Sequence, residues 1–321
     1  MFAGVVTSFD SAPRYSRFTA PEASSEHDLV VNVLAAGLHP RVRSQASGSH
    51  YTSTDELPLI PGVDGVGRGA DGLLRYFVLS DTTFGSMAEQ TVIDTRRSVV
   101  LPDDSDPVAV AAAMNPAMSS WVALRQRISF SAGQNVLVLA ATGSAGRIAV
   151  QVAKHFGAGQ IVAVGRDAER LDALTHLGAT DTVLLEGTPD DIAERIGRAS
   201  TETDVVLDYL WGEPMAAALT AVVSNRADES RLLSWIEIGS VAGPVAPIPS
   251  AALRSCRLQI VGSGQGSVSP REIVAELPAL AAAITDGTFD LTTRTYALSD
   301  IETAWADFEH TSERIVITPN S

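Results

Sequence analysis

Cysteine is almost missing from this chain. The single one, Cys256, excludes internal disulfides and any cysteine-cluster zinc site. Positive charge is also scarce: 23 Lys and Arg stand against 38 Asp and Glu, a net charge of −15. Nucleic acids and anionic membrane surfaces are held by concentrated positive charge, so neither is an expected partner. No run reaches the about 18 apolar residues of a membrane span. Met1 to Val5 leads directly into strand-like sequence rather than a leader segment, so a cytoplasmic protein is expected. Internal repeats and low-complexity segments are absent too. What is present is 321 residues, 45% hydrophobic and 19% charged, an ordinary globular composition with room for one large or two medium domains.

The most informative stretch is NVLVLAATGSAGRIAVQVAKHFGAGQIVAVGRDAER, residues 135–170. An apolar run, Asn135 to Leu139, has the character of a strand buried on both faces. A turn of small residues follows, and then a helix pattern with Ile148, Val152 and Phe156 on one stripe and Gly157 as its stop. A second apolar run, Gln160 to Val164, completes strand, glycine turn, helix, strand, the dinucleotide-binding βαβ unit. Thr142, Gly143, Ser144, Ala145 and Gly146 are the expected phosphate contacts. Gly143 allows close approach of a pyrophosphate, Gly146 allows the helix to pack on the strand, and the helix N–H groups attract the anion. Ala141 occupies the place of the first glycine, making the motif AxGxxG.

The end of the second strand bears on cofactor choice. NAD-binding units place Asp or Glu about 20 residues past the glycines. Here that place reads Gly165-Arg166, with Arg170 one helical turn on. A guanidinium forks onto a 2′-phosphate where a carboxylate would repel it, so NADP(H) is the expected cofactor. Asp167 reads as the N-cap of a helix from Ala168 to Leu177.

Residues 1 to about 105 lack this alternation. Short strand candidates (Gly4–Ser8, Asp28–Ala35, Leu73–Val78, Ala88–Ile93) lie between Gly-, Pro-, Ser- and Asp-rich turns, the pattern of a small, mostly β domain. A helix starts at Asp106-Pro107, is expected to break at Asn115-Pro116, and resumes from Ser119 to Arg127. From Asn135 onward, strands are expected near 135–139, 160–164, 181–185, 204–208, 232–238 and 258–262. Helices are expected at about 145–156, 168–177, 189–198 and 214–225, then Pro270 to Asp286. Two last strands, Leu291–Ala297 and Arg314–Thr318, flank one more helix and are expected to rejoin the first domain. The fold class is α/β, a doubly wound parallel six-stranded sheet with a second, mostly β domain. Ligands of such sheets lie beyond the carboxyl ends of the strands. Tyr209, Gly239, Ser240, Gly262, Ser263 and Gly264 are therefore further candidate cofactor contacts, although each glycine also reads as a plain turn residue.

Several motifs in order carry a resemblance: AGLHP at 36–40, PGVDGVG at 61–67, GSMAE at 85–89, ATGSAG at 141–146, LGA at 177–179 and, more weakly, RIVI at 314–317. Together they resemble the medium-chain dehydrogenase/reductases, in their zinc-independent, quinone oxidoreductase-like branch. The resemblance implies a GroES-like catalytic domain from residues 1–118 plus 268–321, a Rossmann NADP-binding domain from 119–267, and a homodimer. It further implies NADPH-dependent reduction of a quinone or an α,β-unsaturated carbonyl. Zinc-dependent relatives carry an early catalytic Cys, a His-Glu pair after Pro-Gly and a four-cysteine lobe, and none of these is present. Hydride addition to a conjugated acceptor gives a stabilised phenolate or enolate, which needs less electrophilic help than an alcohol or aldehyde.

The resemblance also nominates proton donors. His39 stands where the family often has an Asn facing the nicotinamide, and the place of a Tyr present in enoyl-reductase relatives and several quinone reductases falls on His50, beside Tyr51. His39, His50 and Tyr51 are the candidate catalytic residues, with burial of His39 against backbone, or a solvent proton, as the plainer alternative. Ser119 falls where it could touch the nicotinamide amide. Leu29 to Thr54 contains no acidic residue but holds His39, Arg41, Arg43 and His50, which suits either an anion-receiving cleft or a solvated loop. The acceptor is a small molecule and no metal is expected. An enoyl-thioester reductase and a non-catalytic NADPH-binding protein stay open as alternatives.

Overall fold

The computed structural model describes residues 1–50, 53–80, 82–264 and 266–320. The chain folds as two compact units, one of residues 1–115, 274–287 and 291–321, the other of 116–273 and 288–290.

The first unit holds β1 (Phe2–Val5), β2 (Arg14–Arg17), β3 (Asp28–Leu38), α1 (Pro40–Ala46), β4 (Asp64–Gly69), β5 (Leu74–Val78), β6 (Gln90–Asp94) and β7 (Ser98–Val100). The helix α2 (Pro107–Val122) begins in it and ends in the second unit. The second unit contains β8 (Val136–Leu139), α3 (Ser144–His155), β9 (Ile161–Gly165), α4 (Ala168–Leu177), β10 (Asp181–Leu184), α5 (Pro189–Ala199), β11 (Val205–Asp208), α6 (Gly212–Ser224), β12 (Leu233–Glu237) and β13 (Leu258–Gly262). Then α7 (Pro270–Thr285) leads back to β14 (Thr293–Ala297), α8 (Ile301–Asp307) and β15 (Arg314–Thr318) of the first unit.

All six strands of the second unit are parallel, in the order β10-β9-β8-β11-β12-β13. Strand order reverses between β8 and β11, the switch point at which doubly wound sheets bind ligands. The central strands β8, β9 and β11 are buried at every position, which is why they read as unbroken apolar runs. Leu137, Val162, Val206 and the fully buried Trp235 build their shared core. Thr188 and Asp191 form a capping box at the start of α5.

In the first unit the order is β14-β15-β3-β4-β5-β7, with β6 also on β3, and β15 runs antiparallel to β3 through Ile315 opposite Leu38. The last strand of the chain thus sits beside the long third one. A break at Asn115-Pro116 does not occur. α2 passes through Pro116, whose ring removes one backbone donor from a helix otherwise held by burial of Ala112, Ala113, Ala117 and Trp121. Extended by a π turn to Arg127, this is a 21-residue helix long and apolar enough to cross a membrane, contrary to the sequence-based expectation. Its best window is 67% buried in protein, as in a core helix.

Candidate functional site

The glycine turn leaves β8 at Leu139. Its left-handed residue is Ala140, at φ 60°, so the tight-turn position lies one residue before Ala141. Gly143 caps α3 without a side-chain bond, and its carbonyl accepts from Arg147 N–H at 2.8 Å. The first N–H groups of α3, on Ser144, Ala145 and Gly146, find no backbone acceptor among the described residues and point out of the helix end. The two glycines do different work. A Cβ on Gly146 would overlap Ala140 O and lie 2.7 Å from Ala141 Cα, whereas one on Gly143 would come no nearer than 3.5 Å to any protein atom. Gly146 is required by helix–strand packing; Gly143 leaves a space that the protein itself does not fill. Gly165 is a packing glycine, since a Cβ there would lie 2.5 Å from Thr142 Cγ2.

Just past β9, Arg166 is exposed and makes no hydrogen bond or ion pair among the described residues. Asp167 caps α4, its Oδ1 accepting from Arg170 N–H at 3.1 Å, and it holds the Arg170 guanidinium at 3.2 Å. The carboxylate nearest the strand end is therefore engaged, and Arg166 is the free cation.

Across the switch point, Asp208 ends β11 beside Leu139. Buried, it accepts from the N–H groups of Leu210 (2.8 Å) and Trp211 (3.0 Å) and from Trp235 Nε1 (2.9 Å). Burial raises its pKa, against these hydrogen bonds. The bonds pin a strained turn in which Trp211 has φ 50°. Tyr209 is buried, with its phenol pushed up to about 12. Ser119 Oγ donates to Pro116 O at 2.7 Å, so in its 2.9 Å contact with Tyr209 OH the tyrosine is the donor. These two candidate contacts are thus bonded to each other. Gly239 N–H reaches Asp208 O at 3.2 Å and Ser263 N–H reaches Glu237 O at 2.7 Å, while Ser240, Gly262 and Gly264 are exposed. Arg127, which sequence patterns gave no reason to single out, ties this end of the sheet by donating to Gly262 O (2.7 Å) and Ser267 O (2.8 Å).

The first unit contains a buried polar cluster. His39 caps the start of α1 and is 1% exposed, with Nε2 at 3.0 Å from Asp64 Oδ1. Tyr76 donates its hydroxyl to Asp64 Oδ2 at 2.8 Å. Arg314, 3% exposed, lies against this group, with Nε and Nη2 lacking a hydrogen-bond partner among the described residues. Burial depresses the His39 pKa despite the aspartate, raises that of Tyr76 well above its usual value, and lowers Arg314 to about 10. His39 is thus buried against a carboxylate rather than backbone. Sequence reasoning found His39 but not the other three. Asp64 and Arg314 stood within quoted motifs without a role, and Tyr76 carried no signal.

His50 lies beyond the far end of α1, its N–H on Ser44 O at 3.3 Å. Tyr51 lies outside the described residues. The basic segment 29–54 is not uniformly open. Arg43 pairs with Glu309 at 2.9 Å, donates to Trp305 O at 3.0 Å and stacks over the Trp305 and Phe308 rings.

Residues 145–281 match the zinc-binding dehydrogenase family. Over 99% of this chain and 100% of the relative, the protein is 28% identical to a probable NADPH-dependent quinone reductase (tdiC) of Emericella nidulans. It is 27% identical to a chloroplastic NADPH-dependent alkenal/one oxidoreductase of Arabidopsis thaliana, over 72% of this chain and 67% of the other. A mycobacterial quinone oxidoreductase shares the fold at a TM-score of 0.83 and 20% identity, covering 99% of this chain and 100% of its own. The quinone oxidoreductase of Thermus thermophilus, solved also in complex with NADPH, does so at 0.80 and 23%, over 99% and 100%. Sheet order, glycine turn and these likenesses agree in supporting a quinone oxidoreductase-like protein of the medium-chain dehydrogenase/reductase family.

Proposed function

We propose that this protein is an oxidoreductase that uses NADPH to transfer hydride to a quinone or an α,β-unsaturated carbonyl, without a metal. The observation that carries the cofactor reading is the space at Gly143, open where Gly146 is tightly packed. The residues fit a dinucleotide phosphate. The N–H groups of Ser144, Ala145 and Gly146 would hold the pyrophosphate, and the free Arg166 the 2′-phosphate, with Arg170 behind it. Thr142, the Tyr209–Ser119 pair and the strand-end residues Gly239, Ser240, Gly262, Ser263 and Gly264 would line the rest of the dinucleotide. The names of the Emericella and Arabidopsis relatives, both NADPH-dependent, support this choice and the class of acceptor.

Bound NADPH supplies the hydride. The acceptor then becomes a phenolate or enolate that needs one proton, and His39, His50 and Tyr51 are the proposed donors. The metal-free reading is supported by the ligand inventory: Cys256 is alone, and no three His, Cys, Asp or Glu side chains converge to hold an ion among the described residues. A homodimer through an edge of the Rossmann sheet, whose edge strands are β10 and β13, and a cytoplasmic location complete the proposal.

The test is NADPH oxidation across a panel of quinones and enones, together with Arg166→Ala. The variant should weaken NADPH about 10- to 100-fold, the effect of losing one or two charge-assisted bonds, and leave NADH nearly unchanged. Equal losses for the two cofactors would remove Arg166 from the 2′-phosphate. Stoichiometric NADPH binding without turnover would make this a binding protein, and faster turnover of crotonyl-type thioesters would make it an enoyl-thioester reductase.

A further inference from the structure

The four members of the buried cluster come from four elements whose register brings them together. Ile315 pairs with Leu38, so one step further Arg314 falls opposite His39. Asp64 opens β4, and Tyr76 pairs with Val66, on the same face two residues along. Asp64 divides its oxygens, Oδ1 to His39 and Oδ2 to Tyr76. His39 and Asp64 are each 1% exposed and Tyr76 is 0%, so water does not replace any of these partners.

We propose that Asp64, braced by Tyr76 and Arg314, is a positioning residue that fixes the tautomer of His39 and makes Nδ1 the atom that takes and gives the proton.

The chain of donors leads to this assignment. Buried Tyr76 keeps its proton and donates to Oδ2, so that oxygen is an acceptor at all working pH. Arg314 sets a positive charge beside the carboxylate without bonding through Nε or Nη2, which keeps Asp64 compensated while leaving Oδ1 for the imidazole. Facing an acceptor, Nε2 carries the hydrogen. Burial disfavours the imidazolium, as do the charges of Arg314 on β15 and Arg41 on α1, while Asp64 on β4 favours it. At neutral pH His39 therefore holds one proton, on Nε2, and the lone pair is on Nδ1.

The catalytic consequence rests on the proposed role of His39 as donor. Nδ1 takes a proton from hydronium, releasing water, and the new positive charge is balanced by Asp64. The Nδ1–H bond then breaks as an O–H bond forms on the phenolate or enolate, and the electron pair returns to Nδ1. NADPH is oxidised by loss of hydride, the acceptor gains hydride and proton, and His39 ends as it began.

Ring nitrogen NMR of the 321-residue protein decides the structural claim. With the signals assigned by their loss in His39→Gln, wild type should show His39 protonated on Nε2 at neutral pH. Asp64→Asn can turn its amide N–H₂ toward Nε2 and should move the proton to Nδ1. A wild-type proton on Nδ1, or an unchanged tautomer in Asp64→Asn, would overturn the assignment. The pH profile of kcat for quinone reduction supplies the second readout. Activity that needs the imidazolium falls as pH rises through its pKa. Asp64→Asn should move that fall about one pH unit lower, because a carboxylate that favoured the cation is gone. Tyr76→Phe should move it higher, because a carboxylate relieved of one donor attracts the imidazolium more strongly. A role in packing alone would not give opposite shifts, and shifts of the same sign would sink the proposal even if Asp64→Asn folds poorly. Full turnover in His39→Gln would refute His39 as the donor, while the tautomer result would still stand or fall by itself.

Discussion

The two units build their polar centres from different material. In the second unit the work is done by backbone: the N–H groups at the start of α3, the space over Gly143, and a turn whose amides are gathered by Asp208. In the first unit it is done by side chains, His39, Asp64, Tyr76 and Arg314, with every hydrogen bond of the group ending on Asp64. A backbone site binds by shape and fixed dipoles, and is sensitive to an added atom but hardly to pH. A side-chain site tolerates small changes of shape and is sensitive to where protons reside. The two aspartates show the contrast. Both are buried and both accept from an aromatic partner, but Asp208 is otherwise bonded to amides and Asp64 to an imidazole.

The largest effect should come from adding one atom to the backbone site. Gly146→Ala places a Cβ against Ala140 O and Ala141 Cα, both main chain and unable to swing away. Overpacking of this kind should cost about 3 kcal/mol, read as a fall in the thermal unfolding temperature, with NADPH binding lost as the turn shifts. Gly143→Ala is the matched control. Its φ of −79° suits alanine and its Cβ meets open space, so stability should change by less than about 0.5 kcal/mol while NADPH binding falls. If both variants bind NADPH like wild type, the turn is not a cofactor site.

The pH dependence of stability should separate the two centres by sign. His39 has a depressed pKa in the folded state. Unfolding therefore takes up a proton as pH falls below the ordinary 6.5, and the folded protein gains stability as pH rises through that window. Asp208 has a raised one. Its stabilising protonated form is lost as pH climbs from the ordinary 3.8 through the folded value, so this group makes stability fall with pH. His39→Gln should flatten the first slope and Asp208→Asn the second, leaving net changes of opposite direction in the midpoint-against-pH curve. Slopes of the same sign would mean that the two centres do not differ in the way their partners suggest.

How much of this was legible in sequence follows from the same contrast. Strands buried on both faces show as apolar runs, which marked β8, β9 and β11; the regular alternation with helices placed the other three strands of the parallel sheet, and α4 was placed at Ala168–Leu177 as observed. The glycine turn is local, seven residues long, and the packing role of Gly146 could be assigned before the fold was seen. β4 was hidden because Gly65, Gly67 and Gly69 look like a loop. Gly65 and Gly67 are glycines because β3 comes so close that added Cβ atoms would meet Ala35 O at 2.9 Å and Asn32 O at 2.8 Å. The His39 cluster could not be read, since residues 39, 64, 76 and 314 meet only through the register of β3, β4, β5 and β15. Arg43 looked like one of several free cations until Glu309, far along the chain, was found against it.

The smallest expected effect tests how far the backbone site depends on glycine at all. Ala140 holds φ 60°, where a Cβ crowds the following carbonyl at about 1–2 kcal/mol. Ala140→Gly removes that strain but also gives the unfolded chain more freedom, which offsets about 0.5–1 kcal/mol of the gain. The net should be a stabilisation of about 0.5 kcal/mol, or about 1–2 °C in the unfolding midpoint. NADPH affinity should be unchanged, because the amides proposed to face the phosphates are those of Ser144 to Gly146 and not that of residue 140. A lower midpoint would mean that the Ala140 methyl makes a packing contact worth more than its strain. Altered affinity at unchanged stability would extend the cofactor contact back to the end of β8.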